Sequence, residues 1–263
     1  MEDTTIDYIF SSNINDKEFH RLQLLEECVD DFSKLNLLEA GIKHSSNCLE
    51  IGAGAGSILK WMANVLDENS QITAVDKNTR YINSFGRSNV IVLEDNIQNL
   101  EFYQSFDLIH ARYVLIHNPN ALELMVKLVG MLKPNGRLVI EEADFTSAYW
   151  VDKHYKNGGN RVNKAICTMF SNMGLNPAYG FDVMADMQNA GLEIVRTSSD
   201  MHLSRGRSKM ANMMKASVEA LEEKYIATGV CNKKDIACYL KGTQDPDSLQ
   251  VYYTTTAVVG LKH

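Results

Sequence analysis

Residues 48–58 read CLEIGAGAGSI, with glycines at 52, 54 and 56 behind a short apolar run that carries an acid, Glu50. One glycine suffices for a tight turn, so three at alternate positions imply something large lying against the backbone. Gly52 can turn the chain off a strand, Gly54 can let a ligand approach, and Gly56 can let the next helix pack close to that strand. A helix starting there offers unpaired N–H groups and a partial positive charge, a place for a phosphate or a carboxylate. Two more acids stand where strands are expected to end. Asp76 of AVDKN lies twenty residues beyond Gly56, and Asp95 falls in LEDNI. Each has two acceptor oxygens. Taken singly, each is equally readable as a solvated turn acid.

The spacing narrows the ligand. A dinucleotide fingerprint, GxGxxG, requires glycine or alanine at position 57, where this chain has serine. A P-loop ends in GKS or GKT, and neither follows the glycines.

The elements that must hold these residues follow from hydrophobic periodicity. Leu22, Leu25, Val29, Phe32, Leu35 and Leu38 form one apolar helical face between residues 17 and 40. CLEIG, QITAVDKN, VIVLEDN, FDLIHARY and RLVIEEADF read as five strands. SILKWMANVLDE, TRYINSFGRSN and ALELMVKLVGMLK read as the helices between them, the last stopped by Pro134-Asn135-Gly136. Apolar runs alternating with helices predict an α/β fold with a parallel sheet covered on both faces. After Phe145 the rhythm breaks. A Gly-Gly pair in NGGN precedes a candidate helix in NRVNKAICTMFSNMG, and FDVMADMQNAG reads as another helix, closed by Gly191. LEIVRTSSDMHL is a sixth strand, RSKMANMMKASVEALEEKYIATG a long Met-rich helix, and SLQVYYTTTAVVGLKH a closing strand.

The chain has 263 residues and a formal net charge of -7, with no cationic run. That argues against a sequence-independent nucleic-acid binder and against a polybasic membrane surface. Five scattered cysteines without a CxxC pair indicate reduced thiols rather than a disulfide or zinc framework. The acidic start, MEDTTIDYIF, has no signal-peptide form, and no stretch approaches a membrane span, so a cytoplasmic protein is expected.

In order along about 100 residues, ExGxGxG over Glu50–Gly56, Asp76, Asp95, FDLIHARYVLIH and LKPNGRLVIEE resemble the class I S-adenosylmethionine-dependent methyltransferases of small-molecule type. The resemblance implies a doubly wound, seven-stranded, mostly parallel sheet with helical substrate-cover segments. It divides the chain into an N-terminal helical cap (1–44), a cofactor-binding core (45–145) and a part completing the sheet and carrying lid segments (146–263), in one domain overall. S-adenosylmethionine is the implied cofactor, with S-adenosylhomocysteine as product. Glu50 and the backbone of Gly52, Ala53, Gly54 and Gly56 would surround its methionine and ribose, Asp76 the ribose hydroxyls, and Lys77 the adenine. Asp95, Asn96 and Ile97 would address the adenine edge, while Ala111 and Arg112 contact the methionine end through backbone carbonyls; Arg21 is a further expected cofactor contact.

Methyl transfer needs alignment more than chemistry from the protein, and a base only if the acceptor must lose a proton. His117 is the residue best placed for that, with a structural histidine as the plainer alternative; His110 reads as structural. Glu142 and Asp144 leave the fifth strand toward the same cleft, and can meet a polar or cationic acceptor. Tyr149, Trp150, Tyr155, Met169, Phe170 and Met173, with Met201, Met210, Met213 and Met214, suit an adaptable apolar pocket or simply core. The expected acceptor contacts are Tyr8, Asp144, Trp150, Phe170 and Met214, under a lid of residues 146–180 closed from the other side by Tyr8 and Arg21. No metal is expected. The partner is a small-molecule acceptor, with no nucleic acid or membrane, and the protein is a monomer or homodimer. The alternatives are a protein- or tRNA-directed methyltransferase, although HNPN at 117–120 is not the NPPY of amide-methylating enzymes, or a relative that binds the cofactor without methyl transfer.

Overall fold

The structure, a computed structural model, describes residues 9–10, 16–44 and 46–263. It opens with helix α1 (Asp16–Glu39), followed by strand β1 (Asn47–Ile51), α2 (Ser57–Val65), β2 (Gln71–Asp76), β3 (Val90–Glu94) and β4 (Phe106–Arg112). Then come α3 (Ala121–Met131), β5 (Leu132–Asp144), the two-residue β6 (Tyr149–Trp150), α4 (Lys153–Asn172) and α5 (Tyr179–Asn189). Strand β7 (Glu193–Arg205), α6 (Lys209–Ala227), α7 (Lys233–Gln244) and β8 (Leu249–Leu261) complete it.

One mixed sheet runs β3-β2-β1-β4-β5-β8-β7, parallel through β5 and antiparallel where β8 pairs with β5 and β7. This is the doubly wound, mostly parallel sheet expected. An eighth strand, β6, adds Tyr149 and Trp150 opposite Val251 and Gln250, on the side of β8 that β5 occupies further along. Apolar runs in β1, β4 and β5 feed both faces. Leu49, Ile109 and Leu138 enter one core cluster, while their neighbours Cys48, Leu108 and Val139 enter the other.

Four readings change. Residues 79–89, expected to be helical, form successive turns with no helix. Asn78 and Asn83 side chains accept the Arg80 and Phe85 N–H groups, and Phe85 and Gly86 adopt positive φ, so local side-chain bonds displace the helical ones. The glycine pair lies inside α4. A Cβ at Gly159 would stand 2.4 Å from the Trp150 indole nitrogen, and one at Gly158 2.7 Å from Cys238 Cβ. Close approach, not a break, explains both. Helix α7 had no sequence expectation, though Asn232 and Asp235 form a reciprocal capping box at its start. Finally, α1 buries Arg21, Val29, Ser33, Asn36 and Leu37, while Leu35 and Leu38 are 48% and 41% exposed. Its inner face is substantially polar.

Candidate functional site

The carboxyl ends of β1, β2, β4 and β5 open into a cavity of about 840 Å³, bounded across the top by α1 and α6. Its floor on one side is the glycine loop. Gly52, Gly54 and Gly56 all have positive φ, of 69°, 59° and 92°. A Cβ at Gly52 would press on Val114 at 2.5 Å, whereas one at Gly54 would meet nothing nearer than Leu22 at 3.8 Å. The backbone at Gly54 therefore faces open space, a cradle that a side chain would fill. Gly56 lies behind it, where a Cβ would strike Ile82 at 2.8 Å, so its close contact is with the β2–β3 connection rather than with the strand.

Asp76 accepts the N–H groups of Gly54 at 2.9 Å and Asn78 at 3.0 Å, tying the end of β2 to the loop. Burial raises its carboxyl against the pull of these donors. Asp95 accepts Asn96 N–H at 2.7 Å and the Asn99 amide at 2.9 Å. Lys77, Asn96, Ile97 and Gln98 line the same end of the cavity.

The anion expected at the start of α2 is supplied by the chain itself. Glu26 of α1 accepts the Ser57 N–H at 3.0 Å, and Asp30 accepts the Ser57 hydroxyl at 2.8 Å. Asp30 also takes Arg112 at 3.0 Å, which donates to Ser33 at 2.9 Å, so α1 clamps the glycine loop to the end of β4. Burial raises the Glu26 carboxyl.

Beneath this clamp lies a buried ionic row. Glu50 stands 2.7 Å from His110 Nδ1, and Glu141 lies 3.6 Å from the other ring nitrogen. Glu141 in turn accepts Asn36 at 2.9 Å and the Ser33 hydroxyl. Burial alone pushes His110 down, but Glu50 and Glu141 together outweigh it and lift the imidazole to about 9. Two flanking carboxylates thus favour the cationic form of His110. Glu50 lines the cavity, and its second oxygen has no hydrogen bond among the described residues.

The other half of the cavity is built from the turn after β4, from α4 and from α6. Glu142, expected to face the cleft, turns its carboxylate inward. It accepts the N–H groups of Val114 at 3.1 Å, Leu115 at 2.7 Å and Ile116 at 3.4 Å. Burial pushes it up to about 8 against these three donors. The turn it holds presents His117, whose ring stacks on Phe170 with centroids 5.9 Å apart. Burial, with Arg21 and Lys77 adding repulsion, pushes His117 down to about 4. Arg21 forms a two-pronged pair with Glu18, both bonds 2.8 Å, and lies over the Phe10 ring at 3.9 Å.

Of the residues singled out by sequence, the structure brings Glu50, Gly52, Ala53, Gly54, Asp76, Lys77, Asp95, Asn96, Ile97, Arg112, Arg21, His117, Phe170 and Met214 onto this one cavity. Gly56 and Ala111 sit just behind its wall. Asp144 and Trp150 do not line it. The Asp144 side chain caps the turn after β5 through Thr146 N–H at 2.9 Å. Trp150 is fully buried against Gly159, Gly242 and Tyr239. Tyr8 lies outside the described residues. Met213 lines the cavity, Met169 and Met210 are core, and Met201 stands exposed on β7. Reasoning from sequence missed Glu18, Glu26, Tyr225 and Tyr253, which also line it, and the only advance signal was their helix or strand spacing. Among the described residues no cluster of His, Cys, Asp and Glu could hold a metal ion, and no helix is long and apolar enough to cross a membrane.

Known proteins share this fold. The family model described as a methyltransferase domain matches residues 20–197. The methyltransferase str3 of Strobilurus tenacellus is 27% identical over 140 residues, 51% of this chain and 48% of its own. The chain spans about half the length of the curated relatives it matches. Coclaurine N-methyltransferase, solved with N-methylheliamine and S-adenosylhomocysteine, shares the fold at TM-score 0.55 and 15% identity, over 91% of this chain and 72% of that one. The [4+2]-cyclase SpnF does so at 0.53 and 16%, over 90% and 81%. The chain belongs to the methyltransferase-domain family, with the class I fold.

Proposed function

We propose that this chain transfers a methyl group from S-adenosylmethionine to an oxygen, nitrogen or carbon of a small or medium-sized organic acceptor. The observation that carries the reading is the acidic lining of the glycine-loop end. Glu26 already occupies the first N–H of α2, and Glu50, Asp76 and Asp95 face the same space. That wall suits a cofactor with a sulfonium and an ammonium, and repels the diphosphate of a dinucleotide.

In this reading Asp76 receives the ribose hydroxyls, Asp95 with the Asn96–Ile97 backbone the adenine, and Glu50 with Gly52–Gly54 the methionine end. Residues 1–44 cap the cofactor, 45–145 hold it, and 146–263 complete the sheet and cover the acceptor. When bound, the cofactor supplies an activated methyl carbon; the chain's part is to align the acceptor with it and exclude water. His117, the imidazole lining the cavity, is uncharged at neutral pH and can accept a hydrogen bond from an acceptor hydroxyl or amine. Scattered thiols without a pairing pattern favour a reducing, cytoplasmic compartment. The acidic net charge and enclosed apolar half favour a metabolite over RNA, bound by a monomer or homodimer.

The test is calorimetric titration with S-adenosylmethionine, S-adenosylhomocysteine and NADH. Both adenosyl ligands should bind and Asp76→Ala should weaken them at least tenfold. NADH binding without either would overturn the assignment. A second reading, cofactor retention for a rearrangement, draws support from His117: at about 4 it is a weak base. Mass analysis of products for an added methyl separates the two.

A further inference from the structure

We infer that the half of the cavity away from the glycine loop takes an uncharged, largely apolar acceptor bearing a hydroxyl, and that the Tyr225 hydroxyl receives that group. This rests on the proposed function, of which it specifies the acceptor.

Most of the charged groups around that half, among the described residues, are engaged within the protein. Glu18 spends both oxygens on Arg21, and Glu142 spends both on the N–H groups of residues 114–116. Arg112 is held by Asp30 and Ser33. His117 is neutral at physiological pH. Among the described residues lining that half, no carboxylate is left to meet an ammonium, and the cation outside an ion pair, Lys77, stands beyond Asp76 at the end of β2. A charged acceptor would lose its hydration without a compensating partner. The walls that remain are Ile166 and Phe170 of α4 with Met213, Met214 and Leu221 of α6. Thioethers and an aromatic ring suit a ring or isoprenoid skeleton.

Tyr225, one turn beyond Leu221 on α6, breaks this apolar wall. It is 3% exposed and lines the cavity, yet its hydroxyl makes no hydrogen bond among the described residues. Burial holds the phenol far above its ordinary range, so it stays protonated. The residue is buried but its oxygen keeps accessible surface inside the cavity, where a ligand hydroxyl can meet it as donor or acceptor.

The protein saturated with S-adenosylhomocysteine is titrated with 2-naphthol, 2-methylnaphthalene, 2-naphthoate and 2-naphthylmethylammonium, which share one ring and differ in one group. The expected order places 2-naphthol at least tenfold tighter than either charged probe and about fivefold tighter than the methyl compound. Tyr225→Phe should erase the hydroxyl preference, with the S-adenosylhomocysteine titration as folding control. Equal or tighter binding of the carboxylate or ammonium probe overturns the inference, as does a hydroxyl preference that survives Tyr225→Phe, or binding of none of the four. If S-adenosylhomocysteine itself fails to bind, the proposed function falls. The naphthol order in the ligand-free protein then still decides this inference.

Discussion

Two histidines, seven residues apart in sequence, mark how differently the halves of the cavity are built. His110 lies in β4 under the glycine loop, between Glu50 and Glu141, and is lifted to about 9. His117 lies past the turn, against Phe170 and beside Arg21, and is pushed down to about 4. Burial acts downward on both. Neighbours make the difference: two carboxylates outweigh burial in the first case, and two cations add to it in the second. The glycine-loop half is a fixed ionic frame suited to a polar ligand. The half beyond the turn after β4 is a mainly apolar chamber. In the proposed function the first half takes the cofactor and the second the acceptor.

The sharpest way to break the comparison is to remove the cation from the ionic frame. In His110→Leu, Glu50 and Glu141 remain buried with nothing positive between them. We expect a loss of about 3–5 kcal/mol in urea unfolding at pH 7. Glu50 from β1, Glu141 from β5, and Arg112, Ser33 and Asn36 around them set the pH dependence. A histidine with a raised pKa contributes stability that is full below its ordinary value near 6.5 and is lost as pH rises through about 9. Wild type should therefore lose stability relative to the variant across that window. A deficit under about 1 kcal/mol, flat with pH, would mean the row is not ionic.

How much of this was legible follows the same division. Glu50, the glycines, Asp76 and Asp95 could be read because backbone approach and strand-end hydrogen bonding demand fixed residue types at fixed spacing. The frame beneath them could not. Ser33 and Asn36 reach Glu141 across 108 and 105 residues of sequence, and a polar stripe on α1 reads as a solvated face. The same error placed Leu35 and Leu38 inside. In the acceptor half, aromatic and methionine residues are as good for core as for pocket. Phe170 and Met214 face the cavity while Trp150 and Met169 do not, and only the helix placement decides which. Asp144 failed for another reason: a strand-end acid two residues from a threonine can cap its own turn.

His117 tests the acceptor half from the acid side. A depressed pKa contributes stability present above about 6.5 and lost as pH falls toward about 4. The ring borders the cavity and keeps some exposure, so we expect the effect to be about 2 kcal/mol at most, after discounting for solvent. Comparison of wild type and His117→Gln unfolding midpoints between pH 4 and 7 should show wild type losing more on the acid limb. Parallel curves would mean that His117 titrates alike in the folded and unfolded chain, and would remove its side of the contrast.

The smallest effects come from one substitution made at two glycines. Gly159→Ala in α4 gains helix propensity of about 0.5–1 kcal/mol but drives a Cβ to within 2.4 Å of the fully buried Trp150 ring. The ring is boxed in by Tyr239 and Tyr252, so it cannot yield, and the net expectation is a loss of about 1 kcal/mol. Gly130→Ala, in α3 with no heavy atom within 4 Å of the new Cβ, collects the propensity alone and should stabilise by about 0.5–1 kcal/mol. Thermal unfolding of the two variants side by side reads the difference directly. Opposite signs mean that the aromatic block behind the acceptor chamber is packed without slack. Stabilisation by both would mean that Trp150 can move and that the chamber wall is softer than the frame across from it.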